Sequence, residues 1–173
     1  PKIVEKKLSE DKSHKIKAVF ALHNETSTGV TSNIAKIRQA MDSAKHPALL
    51  MVDTISSLAS IDYCHDDWKV DVTVCGSQKG LLLPPGLSFN AVSQKALEAY
   101  KKSTMQKSYW DWKPILTNNK DNAFPYTPPV NMFFGLDEAI NMLNGSAIPR
   151  LDRLHNSHSN HPLQYVKKQP RQQ

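Results

Sequence analysis

No run of eighteen apolar residues occurs anywhere in the sequence, so no stretch of it reads as a membrane-spanning helix. Its opening, Pro1-Lys2-Ile3-Val4-Glu5-Lys6-Lys7, has no apolar signal core. It also lacks an initiator Met, which suggests a chain cut from something longer. Cysteine is scarce: Cys64 and Cys75 are too few for a disulfide framework and read as the reduced thiols of a cytoplasmic protein. Acidic residues are outnumbered, giving a net charge of +6. The lysines and arginines are scattered, however, and the most basic stretch, Lys167-Lys168 with Arg171, lies among glutamines. A solvated surface accounts for this better than a nucleic-acid footprint. His155, His158 and His161 recur every third residue, but Asp152 is the only carboxylate near them and no thiol is at hand. They read as solvated histidines, and no metal is expected.

Residues 1–15 are polar and charged without clear periodicity, and read as a frayed helix end or an exposed lead-in. From Ile16 the pattern changes. Ile16–Leu22 is an apolar run of strand length, followed by the polar loop His23-Asn24-Glu25-Thr26-Ser27-Thr28-Gly29. Thr31 or Ser32 can cap a helix through about Ala44, with Ile34, Ile37 and Met41 at helical spacing. Ala48–Val52 is a fully apolar strand ending on Asp53. Val70–Cys75 is a β-branched strand ending at Gly76-Ser77-Gln78-Lys79. Leu87–Val92 reads as a further strand, Ser93 caps a helix through about Lys102, and another helix runs from Pro129 to Leu143. Alternating strands and helices predict an α/β fold with a mainly parallel sheet flanked by helices over residues 16–143. Residues 144–173 are rich in His, Asn, Gln and Ser, and read as a polar tail with little order.

Apolar strands that end on polar residues direct attention to the carboxyl edge of the sheet, where open α/β sheets bind ligands. Three strand ends present Glu25-Thr26, Asp53 and Ser77-Gln78-Lys79. A lysine after a strand is ordinarily a solvent-facing cation. Lys79 sits between a polar loop and the apolar run Leu81-Leu82-Leu83, where its amine could lose solvation and become nucleophilic. Asp53 could cap the turn Thr54-Ile55-Ser56-Ser57 or act as counter-ion to a cationic ligand atom.

His23-Asn24-Glu25-Thr26-Ser27-Thr28-Gly29-Val30, Val52-Asp53-Thr54-Ile55-Ser56-Ser57 and Gly76-Ser77-Gln78-Lys79, in this order and spacing, resemble the class V pyridoxal-phosphate aminotransferases. The nearest resemblance is to their serine–glyoxylate and alanine–glyoxylate group, and it covers roughly residues 16–143. Asp53 and Lys79 are 26 residues apart, which also fits that family. The resemblance implies a section of the fold-type-I large domain, in which Lys79 holds pyridoxal 5'-phosphate as an imine. It implies that Asp53 pairs with the pyridine nitrogen, Ile55 lies under the ring, Thr26 sits beside the cofactor, and Gln78 reaches its phosphate. Without the resemblance Ile55 reads as a core residue, and Ser27, Thr28 and Ser77 fit turn and capping roles equally well. Thr127, in Pro125-Tyr126-Thr127-Pro128, resembles a threonine that reaches the neighbouring subunit's cofactor, which implies a homodimer with shared sites.

The implied reaction is transfer of an amino group from a small amino acid, L-serine or L-alanine, to the 2-oxo acid glyoxylate. The chain also departs from the family pattern. Ala123 stands where some relatives carry Tyr, Lys69 where they favour Gly, and Cys64 where a basic residue is frequent. The upstream loop that cradles the cofactor phosphate and the downstream arginine that grips the substrate carboxylate have no counterpart here. Arg150, Arg153 and Arg171 lie in a stretch unlike the family and are given no role. Two alternatives stay open: a non-catalytic truncated fragment, and another class V enzyme, a lyase or a desulfurase. The lack of an obvious catalytic cysteine loop counts against the desulfurase.

Overall fold

The computed structural model describes residues 1–144. Four strands, β1 (Ala18–Leu22), β2 (Leu49–Asp53), β3 (Val72–Gly76) and β4 (Ser88–Val92), form one sheet in the order β1-β2-β3-β4. The first three are parallel, and β4 returns antiparallel to β3. The helices are α1 (Lys2–Glu10), α2 (Ile34–Ser43), α3 (Gln94–Lys102), α4 (Trp112–Asn119) and α5 (Val130–Asn144), with a short 3-10 turn at Ser108–Trp110. The architecture is thus the α/β fold with a mainly parallel sheet that the alternation of runs predicts.

The β2 run Leu49–Val52 is apolar because it lies mid-sheet, and Leu50 and Val52 are buried beneath α2 residues Ile34 and Met41. Leu8 of α1 belongs to the same cluster and Val4, one turn earlier, packs against it, so the first helix is docked through one side of its surface. Val4 and Leu8 make too narrow a stripe for periodicity to show.

The helix α2 starts later than its sequence suggests. Asn33 is the cap, its Oδ1 accepting from Lys36 N at 2.9 Å. Thr31 and Ser32 are engaged elsewhere: Thr31 bridges to Asn24, and Ser32 N donates to His23 O at 2.8 Å. Ser93 caps α3 as expected, accepting from Ala96 N at 3.1 Å. The helix α4 carries no clear sequence signal, because Pro114 reads as a breaker. It falls in the first turn, where its missing N–H would have no helical partner, and Asp111 caps the turn through Lys113 N.

At the amino-terminal end of β3, Asp71 is buried and collects the surrounding elements. It accepts from Leu50 N at 2.8 Å and Ser93 Oγ at 2.9 Å, with Lys95 Nζ at 3.5 Å and Arg38 at 3.9 Å. A buried carboxylate with two cations and two neutral donors is compensated, and it fixes α2 and α3 to the sheet.

Candidate functional site

Parallel pairing brings the carboxyl ends of β1, β2 and β3 to one edge of the sheet. Leu22 lies opposite Asp53, and Asp53 opposite Val74. The loops leaving these strands are tied together. His23 N donates to Asp53 O at 2.9 Å, and Thr54 N to Val74 O at 2.9 Å. Ser56 Oγ donates to Asn24 O at 2.7 Å and accepts from Asn24 Nδ2 at 3.1 Å. The loop after β3 closes on the loop after β2 at Gly80, where a Cβ would stand 2.1 Å from Leu58 O. Only glycine permits that approach, and the turn carrying Lys79 rests on it.

Asp53 is exposed. Its Oδ1 accepts from Ile55 N at 2.8 Å, so the turn-capping role is present, while Oδ2 has no hydrogen-bond partner among the described residues. One oxygen holds the turn and the other can meet a cation. Ile55, half-buried in that turn, belongs to neither hydrophobic cluster. Gln78 and Lys79 are exposed on the turn after β3, and the Gln78 side chain folds back over Gly76.

The apolar wall expected to desolvate Lys79 turns elsewhere. Leu81 and Leu83 are buried with Ala139 of α5, and Leu82 is 71% exposed. Lys79 therefore stays open to water, and the described residues do not supply the dry surroundings read from the sequence. Thr26 is exposed in the loop after β1. Ser27 N and Oγ both donate to Glu25 Oε1, and Val30 N donates to Thr28 Oγ1. Ser27 and Thr28 thus have turn roles, and Ser77 likewise, its buried hydroxyl bridging Pro84 O and Leu87 N. Thr127 is exposed on the segment entering α5 and has no hydrogen bond to the other five among the described residues. Arg150, Arg153, Arg171 and the three spaced histidines fall beyond the last described residue, as does the expected polar tail apart from Asn144, which ends α5 as part of the helix.

Sequence reasoning missed His23 and Ser57. His23 is 2% exposed and Ser57 0%, and His23 Nδ1 meets Ser57 Oγ at 2.9 Å. The ring packs against Tyr63 and Trp68, with centroids 5.1 and 5.9 Å away. Burial lowers the His23 pKa below its ordinary value, partly opposed by the Asp62 charge. Both residues lie at the ends of the motifs that carry the family resemblance, but nothing in the sequence pairs one with the other.

The surroundings of both thiols disfavour the thiolate form. Partial burial and the carboxylates of Asp62 and Asp67 raise the Cys64 pKa, and burial raises that of Cys75.

The family model described as Aminotransferase class-V matches residues 2–171. The chain belongs to this family. It is 49% identical over 145 residues to a serine–glyoxylate aminotransferase of Methylorubrum extorquens, covering 81% of this chain and 36% of that one. It is also 49% identical over 130 residues to an L-aspartate–glyoxylate aminotransferase of Paracoccus denitrificans, covering 75% and 33%. Among solved structures, it is similar to pyridoxamine–pyruvate aminotransferase from Mesorhizobium loti, with TM-score 0.72 and 30% identity over 86% of this chain and 38% of that one. The chain therefore spans about a third of the length of these relatives.

Class V aminotransferases depend on pyridoxal phosphate. The residues at the sheet edge fit that group chemically. An exposed carboxylate with one oxygen uncommitted among the described residues suits a protonated ring nitrogen, and an amine with no salt-bridge partner among them suits an aldehyde. Thr26 and Gln78 add a hydroxyl and an amide, and Ile55 an aliphatic surface.

Proposed function

We propose that this chain is the cofactor-holding section of an aminotransferase that passes the amino group of a small amino acid, L-serine or L-alanine, to glyoxylate. The observation that carries the reading is the shared sheet edge, where parallel pairing and the Gly80 contact bring the turns of Asp53 and Lys79 together. Two relatives at 49% identity are named for glyoxylate as partner, one with serine and one with aspartate, which supports the acceptor more strongly than the donor.

Each residue then has a task. Asp53, through the carboxylate oxygen left free of the turn, would pair with the ring nitrogen and favour its protonated form. When bound, pyridoxal phosphate supplies an electron-poor ring that takes up charge as the substrate's α-proton leaves. Lys79 Nζ would anchor the cofactor through its aldehyde and, once released, would serve as the base that takes the substrate's α-proton and gives it back. Ile55 supports one ring face. Gln78 would reach the cofactor phosphate, Thr26 would lie beside the cofactor, and Thr127 would serve the site of a second subunit in a homodimer. Because Lys79 is open to water, the dry surroundings that its chemistry requires come from other parts of the protein or from that subunit.

Both cysteines are held as thiols, which disfavours desulfurase chemistry by this section. To test the reading, the protein is incubated with pyridoxal phosphate, reduced with borohydride and mapped by peptide mass. A covalent label on Lys79 is expected, and a label on Lys95 or Lys101 instead would refute the assignment.

A further inference from the structure

The buried pair His23–Ser57 has no evident task in the proposed chemistry, yet it joins the two loops that carry Thr26 and Asp53. The backbone of His23 donates to Asp53 O, and its carbonyl accepts from Ser32 N, which closes the β1 loop. Its ring crosses to Ser57 at 2.9 Å, four residues beyond Asp53. Both side chains are almost wholly shielded from water, and the ring is wedged against Tyr63 and Trp68. A fold that needed only packing here would place an apolar ring, since a buried imidazole must find a partner. The partner it finds lies on the turn that Asp53 Oδ1 itself caps.

From this geometry we infer that His23 is a positioning residue, which through Ser57 fixes the turn after β2 and so aims the Asp53 carboxylate at the cofactor ring nitrogen. The inference rests on the proposed function. Burial favours the neutral ring, which keeps one nitrogen as donor and one as acceptor and leaves the Ser57 bond intact at physiological pH.

The test uses the protein with added pyridoxal phosphate and three variants. His23→Phe keeps an aromatic ring against Tyr63 and Trp68 but removes Nδ1. Ser57→Ala removes the other partner with little change in volume. His23→Asn restores a nitrogen near the place of Nδ1. The readouts are cofactor dissociation constant, the pH dependence of the bound cofactor's visible absorbance, and melting temperature without cofactor.

His23→Phe and Ser57→Ala should each weaken cofactor binding about tenfold, the loss expected for one broken buried hydrogen bond. Each should also shift the absorbance titration. The double variant should be no worse than either single one, and His23→Asn should recover most of the affinity. A merely structural role lowers melting temperature while leaving affinity and titration where they were, and that result overturns the inference but spares the proposed function. Failure of the unaltered protein to bind pyridoxal phosphate at all overturns both.

Discussion

At the scale of single residues, the carboxylate of Asp53 is divided between two jobs, and substitution can separate them. Asp53→Asn keeps an oxygen to accept from Ile55 N, so the turn should survive. It removes the charge that would hold a proton on the ring nitrogen. Transamination by the holoenzyme should fall by about two to four orders of magnitude, roughly 3–5 kcal/mol of transition-state stabilisation. Near-normal turnover would reduce Asp53 to a cap. Single residues also set the acid response. His23 titrates below its ordinary value of 6.5 in the fold, so above 6.5 its contribution to stability is complete. As pH falls below 6.5 the unfolded chain takes up a proton first, and stability declines toward the depressed folded value. Asp11 is held at about 2, chiefly by the hydrogen bond from Ile16 N and despite an opposing effect of burial. Its contribution is present above the ordinary 3.8 and disappears as pH falls toward 2. Urea midpoints measured from pH 8 to pH 2 should show both declines, and His23→Phe should flatten only the upper one.

At the scale of elements, the strands were the legible part. Ile16–Leu22, Ala48–Val52, Val70–Cys75 and Leu87–Val92 each lie within two residues of an observed strand, because a sheet covered by helices demands apolar runs bounded by polar turns. The helix α3 was legible through Ser93 for the same local reason. The helix α1 was legible only as one of two alternatives, since Leu8 and Val4 make a narrow stripe, and α4 was not, since it hides behind Pro114. The candidate site divides likewise. Asp53 and Lys79 stand at strand ends and within motifs, and could be named. His23, Ser57 and Gly80 matter through contacts across loops, and a partner 34 residues away leaves no trace in local pattern. The apolar run after Lys79 misled because a sequence does not say which way three leucines turn. Asp71 is the junction of elements. Asp71→Ala would strand the Leu50 amide and leave Arg38 and Lys95 without their shared carboxylate. Loss of about 3–5 kcal/mol is expected for breaking a buried ion network, measured by urea denaturation at pH 7. A loss below about 1 kcal/mol would show that solvent compensates the cations.

At the scale of the whole molecule, several large apolar side chains of the described residues are uncovered. Phe20 on the edge strand β1 is 78% exposed, and Phe134 on α5 is 77% exposed, with Trp110 and Met105 similarly open. Among the described residues no strand pairs with the outer side of β1, and an edge of that kind with a large aromatic invites pairing with another chain. With Lys79 in water and only a third of the relatives' length present, residues 1–173 on their own should not transaminate. Serine plus glyoxylate with saturating pyridoxal phosphate should yield no hydroxypyruvate, and gel filtration should show concentration-dependent self-association. Turnover above about 1 per second would mean that this section suffices. One feature of the sheet bears on how such a protein can change. Asp71 and its cations close one end of the strands, while Asp53 and the turn of Lys79 occupy the other, and the two ends share no hydrogen-bonded side chain among the described residues. Substitutions in the loops at the Asp53 end can therefore accumulate without disturbing the Asp71 junction that holds α2 and α3 on the sheet.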